Sequence, residues 1–187
     1  MPISSGKEAA VREDRLLELA GQAGFQHTGI LNTDALVLRP EVRDMCASGT
    51  CRRYGHCWTC PPGCGSLEYL QKKISKFTGG ILVQTTENLK NDFDVKTMLA
   101  AEKKHKDRFA VLSRQARIIF PESMPMSAGS CTICQKCTYP DKPCRFPDRA
   151  FPSMEACGLV INDVCRDSGM KYNYGEQTIT YTSCVLI

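Results

Sequence analysis

Apolar positions recur at helical intervals in some stretches of the chain and run together or alternate in others. Between Lys7 and Ala23 the apolar residues Ala10, Val11, Leu16, Leu17, Leu19 and Ala20 suit one amphipathic helix, closed by Gly24. A strand is expected near His27 to Leu31, ended by the turn residues Asn32, Thr33 and Asp34. Glu41 to Cys46 reads as a short helix. Ser66 is placed to cap a helix over Leu67 to Phe77, with Glu68 in its first turn. Gly79-Gly80 leads into a buried strand, Ile81 to Thr86, and Asp94 to Ile119 is one long helical pattern stopped by Pro121. Pro152 and Ser153 open a helix predicted over Met154 to Asp167, with Gly169 in the C′ place and Gly158 inside it. Gln177 to Ile187, rich in Thr, Tyr, Val and Ile, reads as a terminal strand. These elements predict an α/β (α+β) fold: a single domain over residues 1–187, with a small central sheet and flanking helices.

Two stretches have neither period. Cys46 to Gly65 is broken by Pro61, Pro62, Gly63 and Gly65, and Met124 to Ala128 delivers the chain to a second irregular stretch, Cys131 to Pro147. Both are loops, and both are full of cysteine. The 187 residues contain twelve cysteines, in a chain long enough to build a hydrophobic core without disulfide staples. Met1 to Lys7 is polar, with no apolar segment of a secretory signal, and the longest apolar runs are too short to span a bilayer. A reducing cytoplasm is the expected compartment, where dense cysteine reads as metal or redox chemistry. A net charge of +4 and 7% aromatics leave nucleic-acid binding without support.

The second loop (131–147) carries the sharper signal. Cys131, Cys134 and Cys137 stand in a Cys-x2-Cys-x2-Cys run, with Cys144 following. Three thiolates from one tight turn wrap three irons of a [4Fe–4S] cubane, and a fourth arrives from outside the turn. Zinc is the alternative, although zinc ribbons pair two separate knuckles. Lys136, Lys142 and Arg145 add positive charge beside what would be an anionic cluster. The first loop (46–64) holds Cys46, Cys51, Cys57, Cys60 and Cys64, one more than a cubane or a zinc ion needs. Iron–sulfur and zinc are both open there, and His56 is a ligand by type only.

The chain resembles the family called domain of unknown function 2284, a predicted metal-binding family. Met45-Cys46, Cys51, Tyr54-Gly55, Trp58 and Cys60-Pro61-Pro62 carry the resemblance in the first half. Cys131, Cys134, Cys137, Pro143-Cys144-Arg145-Phe146-Pro147 and Pro152-Ser153-Met154-Glu155-Ala156 carry it in the second. It implies cysteine-bound metal, iron–sulfur in kind, in anaerobic bacteria and archaea, and supplies no reaction. In the family pattern the positions of Cys46, Cys51 and Cys60 are firm, so the fourth ligand of the first site is open between Cys57 and Cys64.

Other residues read more plainly. Tyr54 and Trp58 either shield a cluster from water or form the small core under the loop. Arg145 is a solvated side chain or a counter-charge to the cluster. Ser153 is a helix cap, with Glu155 a candidate proton donor. Cys157, Cys165 and Cys184 lack knuckle spacing and are expected to pack as buried thiols. Lys103, Lys104, His105, Lys106 and Arg108 form a basic face on the long helix, expected to be solvated. No phosphate loop, dinucleotide fingerprint, nucleophile elbow or His-Glu-x2-His helix is present.

The functional expectation is therefore an iron–sulfur protein with two [4Fe–4S] clusters, exchanging low-potential electrons with a redox partner protein. A reductase or reductive activator pairing a cluster with a corrinoid or flavin is one alternative. A zinc-stabilised interaction module is the other.

Overall fold

The computed structural model describes residues 4–49 and 51–187. Its elements, in chain order, are α1 (Ser4–Gln22), β1 (His27–Ile30), α2 (Pro40–Ala47), α3 (Leu67–Ile74), β2 (Gly80–Asn88), α4 (Val95–Ile119), β3 (Met124–Met126), α5 (Ile161–Asp167) and β4 (Thr178–Leu186), with a 3₁₀ turn at Thr33–Ala35. The strands form one antiparallel sheet in the order β1-β2-β4-β3. This is an α+β fold. Its spine is the pairing of β2 with β4 along their whole length, from Gly80 opposite Leu186 to Asn88 opposite Thr178.

The central strands are covered on both faces where they are most apolar, at Ile81–Val83 and Cys184–Ile187. On one face Ile81, Val83, Val185 and Ile187 pack with Leu16, Leu19 and Ala20 of α1 and with Phe109, Leu112 and Ala116 of α4. On the other, Leu82, Cys184 and Leu186 pack with Leu70 and Ile74 of α3, Met154, Cys157, Leu159 and Val164. Cys157, Cys165 and Cys184 are all buried. Burial pushes the Cys157 thiol up to about 12 and the Cys184 thiol well above its ordinary range, so both behave as small apolar side chains. β3 is an edge strand, and Pro125, opposite Val185, fits there because an edge position can lack a donor.

The capping residues lie where the pattern placed them. Ser66 accepts from the Tyr69 N–H at the start of α3, and Asp94 accepts from the Thr97 N–H at the start of α4. The helix expected over Met154 to Asp167 is shorter. Residues 153–158 form tight turns, with Ser153 Oγ accepting from the Ala156 N–H, and the helix begins only at Ile161. Gly158 ends the turns at φ +90°, and a Cβ there would lie 2.8 Å from Leu67 Cδ2. A left-handed residue in close contact cannot continue a helix. Cys157 and Cys165 therefore do not share a helix. No helix among the described residues is long and apolar enough to cross a membrane.

His105 corrects the basic face predicted for α4. Its ring is fully buried, 3.1 Å from Thr85 Oγ1 and 2.7 Å from Ser183 Oγ, while Lys103 and Lys104 stay exposed and pair with Asp107 and Glu87. Burial, with the charges of Lys106 and Arg108, lowers its pKa from 6.5 to about 3. Below pH 6.5 the unfolded chain takes up a proton that the folded chain refuses. The stability tied to the neutral ring is thus intact above 6.5 and is lost as pH falls toward 3. Urea unfolding between pH 6 and 4 is expected to show His105→Gln losing less stability per pH unit than the parent, by up to about 1.4 kcal/mol. Equal slopes would contradict a neutral buried ring.

Candidate metal centre

The first cysteine loop leaves α2, whose last turn carries Cys46, and folds through successive tight turns. The Cys60 N–H donates to the Cys57 carbonyl at 3.1 Å, the Cys64 N–H to the Cys60 carbonyl at 3.0 Å, and the Gly55 N–H to the Pro61 carbonyl at 2.9 Å. These turns bring Cys57, Cys60 and Cys64 onto one compact piece of backbone.

The second loop is clipped at its base. The Ser127 N–H donates to the Pro152 carbonyl at 2.8 Å, and the Met154 N–H donates back to the Ser127 carbonyl at 3.2 Å. Two cations of α4 fasten it from below. Lys106 donates to the Ser130 carbonyl at 2.6 Å, just before Cys131, and Arg117 donates to the Asp148 carbonyl at 3.0 Å. Within the loop Thr138 Oγ1 donates to the Pro143 carbonyl at 2.8 Å and Arg145 to the Lys136 carbonyl at 3.0 Å. Cys144 is thereby folded back toward Cys131, Cys134 and Cys137.

The loops meet at a joint built on Trp58. Its indole N–H donates to the Lys142 carbonyl at 3.0 Å, and its ring meets Tyr139 edge-on with centroids 4.8 Å apart. Gly63 lies in the same joint, where a Cβ would stand 2.7 Å from the Cys57 carbonyl oxygen and 2.9 Å from the Tyr139 ring.

Thiols from both loops come into contact there. Cys57 accepts hydrogen bonds from the thiols of Cys131 and Cys60, which holds its pKa far below the thiol range. Cys60 and Cys131 are held far above it by donating to Cys57, and by burial. Neighbouring thiols cannot all ionise, because negative charge on one opposes ionisation of the others. Cys57 also lies 3.3 Å from Thr59 Oγ1. A small pocket of about 20 Å³ gathers Cys57 with Cys131, Cys134, Cys137 and Cys144, walled by Trp58 and Phe146.

Cys46, Cys51 and Cys64 of the first loop lie within electrostatic reach of their neighbours. Burial raises the Cys46 pKa, and the charges of Cys51 and Glu155 raise it further. Burial raises Cys64 too, opposed by Arg43, whose guanidinium is 3.6 Å from the Cys64 sulfur and donates to the Gly65 carbonyl at 2.8 Å. Cys60 in turn feels the charge of Cys51, and Cys64 that of Cys46. One carboxylate oxygen of Glu155 is buried with no hydrogen-bond partner among the described residues.

The nine cysteines singled out by spacing thus lie on two stretches of chain that meet at one joint. Among the described residues, no three His, Cys, Asp or Glu side chains converge tightly enough to hold a single metal ion. His56 and Arg145 are exposed, and Tyr54 is exposed where Trp58 is packed. Spacing did not disclose the Cys57–Cys131 contact, the Trp58–Tyr139 joint or Arg43 beside Cys64. Each is a contact between residues more than twenty positions apart. The one advance signal was the surplus cysteine of the first loop.

All twelve cysteines are free thiols. A small α+β scaffold that gathers so many at one joint has the character of a metal-binding protein. The model of the domain of unknown function 2284 family, described as a predicted metal-binding protein, matches residues 29–187, and the chain belongs to that family. No curated protein matches the chain. No solved structure matches it either.

Gly63→Ala is expected to force the joint apart, costing about 1–3 kcal/mol in urea unfolding and red-shifting the emission of Trp58, the single tryptophan. Gly21→Ala, with open space around its Cβ in α1, is expected to be neutral or stabilising by about 0.5–1 kcal/mol. Equal behaviour of the two variants would contradict the close approach at Gly63.

Proposed function

We propose that the chain holds two [4Fe–4S] clusters and passes single low-potential electrons between a donor and an acceptor protein. The observation that carries this reading is the Cys131-x2-Cys134-x2-Cys137 turn with Cys144 folded back to the same pocket, four thiols of one clipped loop. Cys46, Cys51, Cys60 and Cys64 form the second set. Each is linked to a neighbour in that set through its charge, and Arg43 beside Cys64 supports a net negative group. Cys57 then stands between the two sets as the surplus thiol, held in the seam by Cys60, Cys131 and Thr59.

The donor set suits such clusters, since soft thiolates are their usual ligands. The pocket as built admits only a water-sized body, so holding a cluster needs cysteine χ1 rotations that part the touching thiols. The loops have turn bonds rather than long ladders, so such rotations disturb few backbone contacts. A bound [4Fe–4S] cluster supplies reversible one-electron chemistry. The chain supplies the rest: thiolates, the Trp58–Tyr139 wall that limits water, and the cations Arg43, Lys136 and Arg145 that offset negative charge.

A second reading is favoured by one further observation. A cleft of about 650 Å³ opens beside the joint, with Cys64 of the first loop and Cys144 of the second in its wall. That arrangement suits a reductase in which electrons leave the centre for a molecule in the cleft.

Anaerobic quantification of iron, acid-labile sulfide and zinc tests the leading reading. About eight irons and eight sulfides per chain are expected, falling to about half in Cys134→Ser. Zinc in the absence of sulfide would overturn it.

A further inference from the structure

The cleft beside the thiol joint has the composition of a ligand site. Its volume, about 650 Å³, lies within the range of small-molecule pockets, ~300–1,000 Å³. Four separate parts of the chain build it: α3, the end of α4 with the segment into β3, and both cysteine loops. Its apolar wall includes Trp58, Leu70, Met124 and Phe151, a mixture of flat rings and flexible aliphatic groups.

The charged residues in that wall are Lys73, Arg117 and Lys142 against Asp141 alone. Arg117 is engaged, lying over the Phe151 ring at 4.8 Å and donating to the Asp148 carbonyl. Lys73 and Lys142 have no carboxylate partner among the described residues, so both ammonium groups are available to an anion in the cleft. A second, independent feature lies in the same wall. Ser123 is 6% exposed, and its buried hydroxyl has no hydrogen-bond partner among the described residues. A buried hydroxyl left unsatisfied costs about 1–3 kcal/mol, and one lining a cavity is satisfied by what enters it.

We infer that this cleft binds a flat, apolar organic molecule bearing an anionic group, its body against Trp58 and Phe151 and its charge between Lys73 and Lys142. What the bound molecule does rests on the reductase reading, whereas its binding is measured separately from the metal. An apolar body gains from burial against the rings, and the anion gains from two lysines that no carboxylate pairs, which outweigh the one acid Asp141 in the wall. Ser123 supplies a further hydrogen bond within the cleft.

The test uses metal-loaded protein whose iron and sulfide have been assayed independently, so that a missing centre and an empty cleft are told apart. The probe is 1-anilinonaphthalene-8-sulfonate, a flat apolar body with one fixed negative charge. Its neutral counterpart is N-phenyl-1-naphthylamine. Trp58, the single tryptophan and part of the cleft wall, reports arrival by energy transfer to the probe. Saturable quenching at one sulfonate probe per chain is expected. Lys73→Glu with Lys142→Glu is expected to weaken the sulfonate ~10-fold or more while leaving the neutral analogue within ~2-fold. Lys103→Glu, on the outer face of α4, is expected to change neither. Should the double variant not fold, Lys142→Gln carries the test, with a loss of ~3-fold or more for the sulfonate alone. Quenching without saturation, or equal losses for charged and neutral probes, would overturn the inference.

Discussion

Cys57, Cys60 and Cys131 lie near one another where two irregular loops cross, and the architecture around them serves to bring the loops together. Thiols so close repel one another once more than one is ionised. The loops that carry them are held by tight turns and a few inter-loop contacts rather than by ladders of their own. Their positions therefore depend on what fixes the loop ends and on what balances charge at the sulfurs. The Trp58 indole on the Lys142 carbonyl and the Tyr139 ring do part of the first task. The proposed metal core, cationic and bound by thiolates, would answer the second.

The loop ends are fixed by the sheet. β2 and β4 are buried on both faces and give the rigid centre. From that centre β3 leads toward the second loop, whose base is clipped between Ser127 and Met154, while Lys106 and Arg117 of α4 grip its flanks. The first loop hangs between α2 and α3, and Arg43 of α2 reaches back to the sulfur of Cys64. Burying His105 neutral beneath Thr85 and Ser183 keeps α4 pressed to the sheet, so the helix that grips the second loop is held from behind. The cleft is a by-product of this layout, since it opens where α3, the end of α4 and both loops fail to meet completely.

Much of this frame was legible in the sequence because its signals are local. Ser66 and Asp94 cap the helices they precede, β2 shows as a short apolar run after Gly79-Gly80, and β4 shows as a stretch rich in Thr, Tyr, Val and Ile. Cys131, Cys134, Cys137 and Cys144 stood out as a group for the same reason, lying on one turn-rich loop, and the structure places all four around one small pocket. Where the reading failed, non-local contacts decided. Gly158 breaks the expected helix over Met154 to Asp167 through its left-handed φ of +90°, at a place where Leu67 and Arg39 leave no room for a Cβ, which no periodicity reveals. His105 looked solvated beside four cations, yet the helix turns it into the core. β3 is three residues long with a proline in the middle, too little pattern to be read as a strand. The approach of Cys57 to Cys131 spans 74 positions, from the first loop to the second, and the sheet together with the Trp58 joint brings the two near each other.

If the two loops form one centre organised by metal, removing the metal must loosen both together while the sheet holds. Hydrogen exchange on anaerobically prepared protein, before and after chelation, measures this directly. The predicted result is a joint loss of protection over residues 51–65 and 127–147, with the amides shared by β2 and β4 unchanged. Loss of protection in one loop alone, or in neither, would contradict a shared centre.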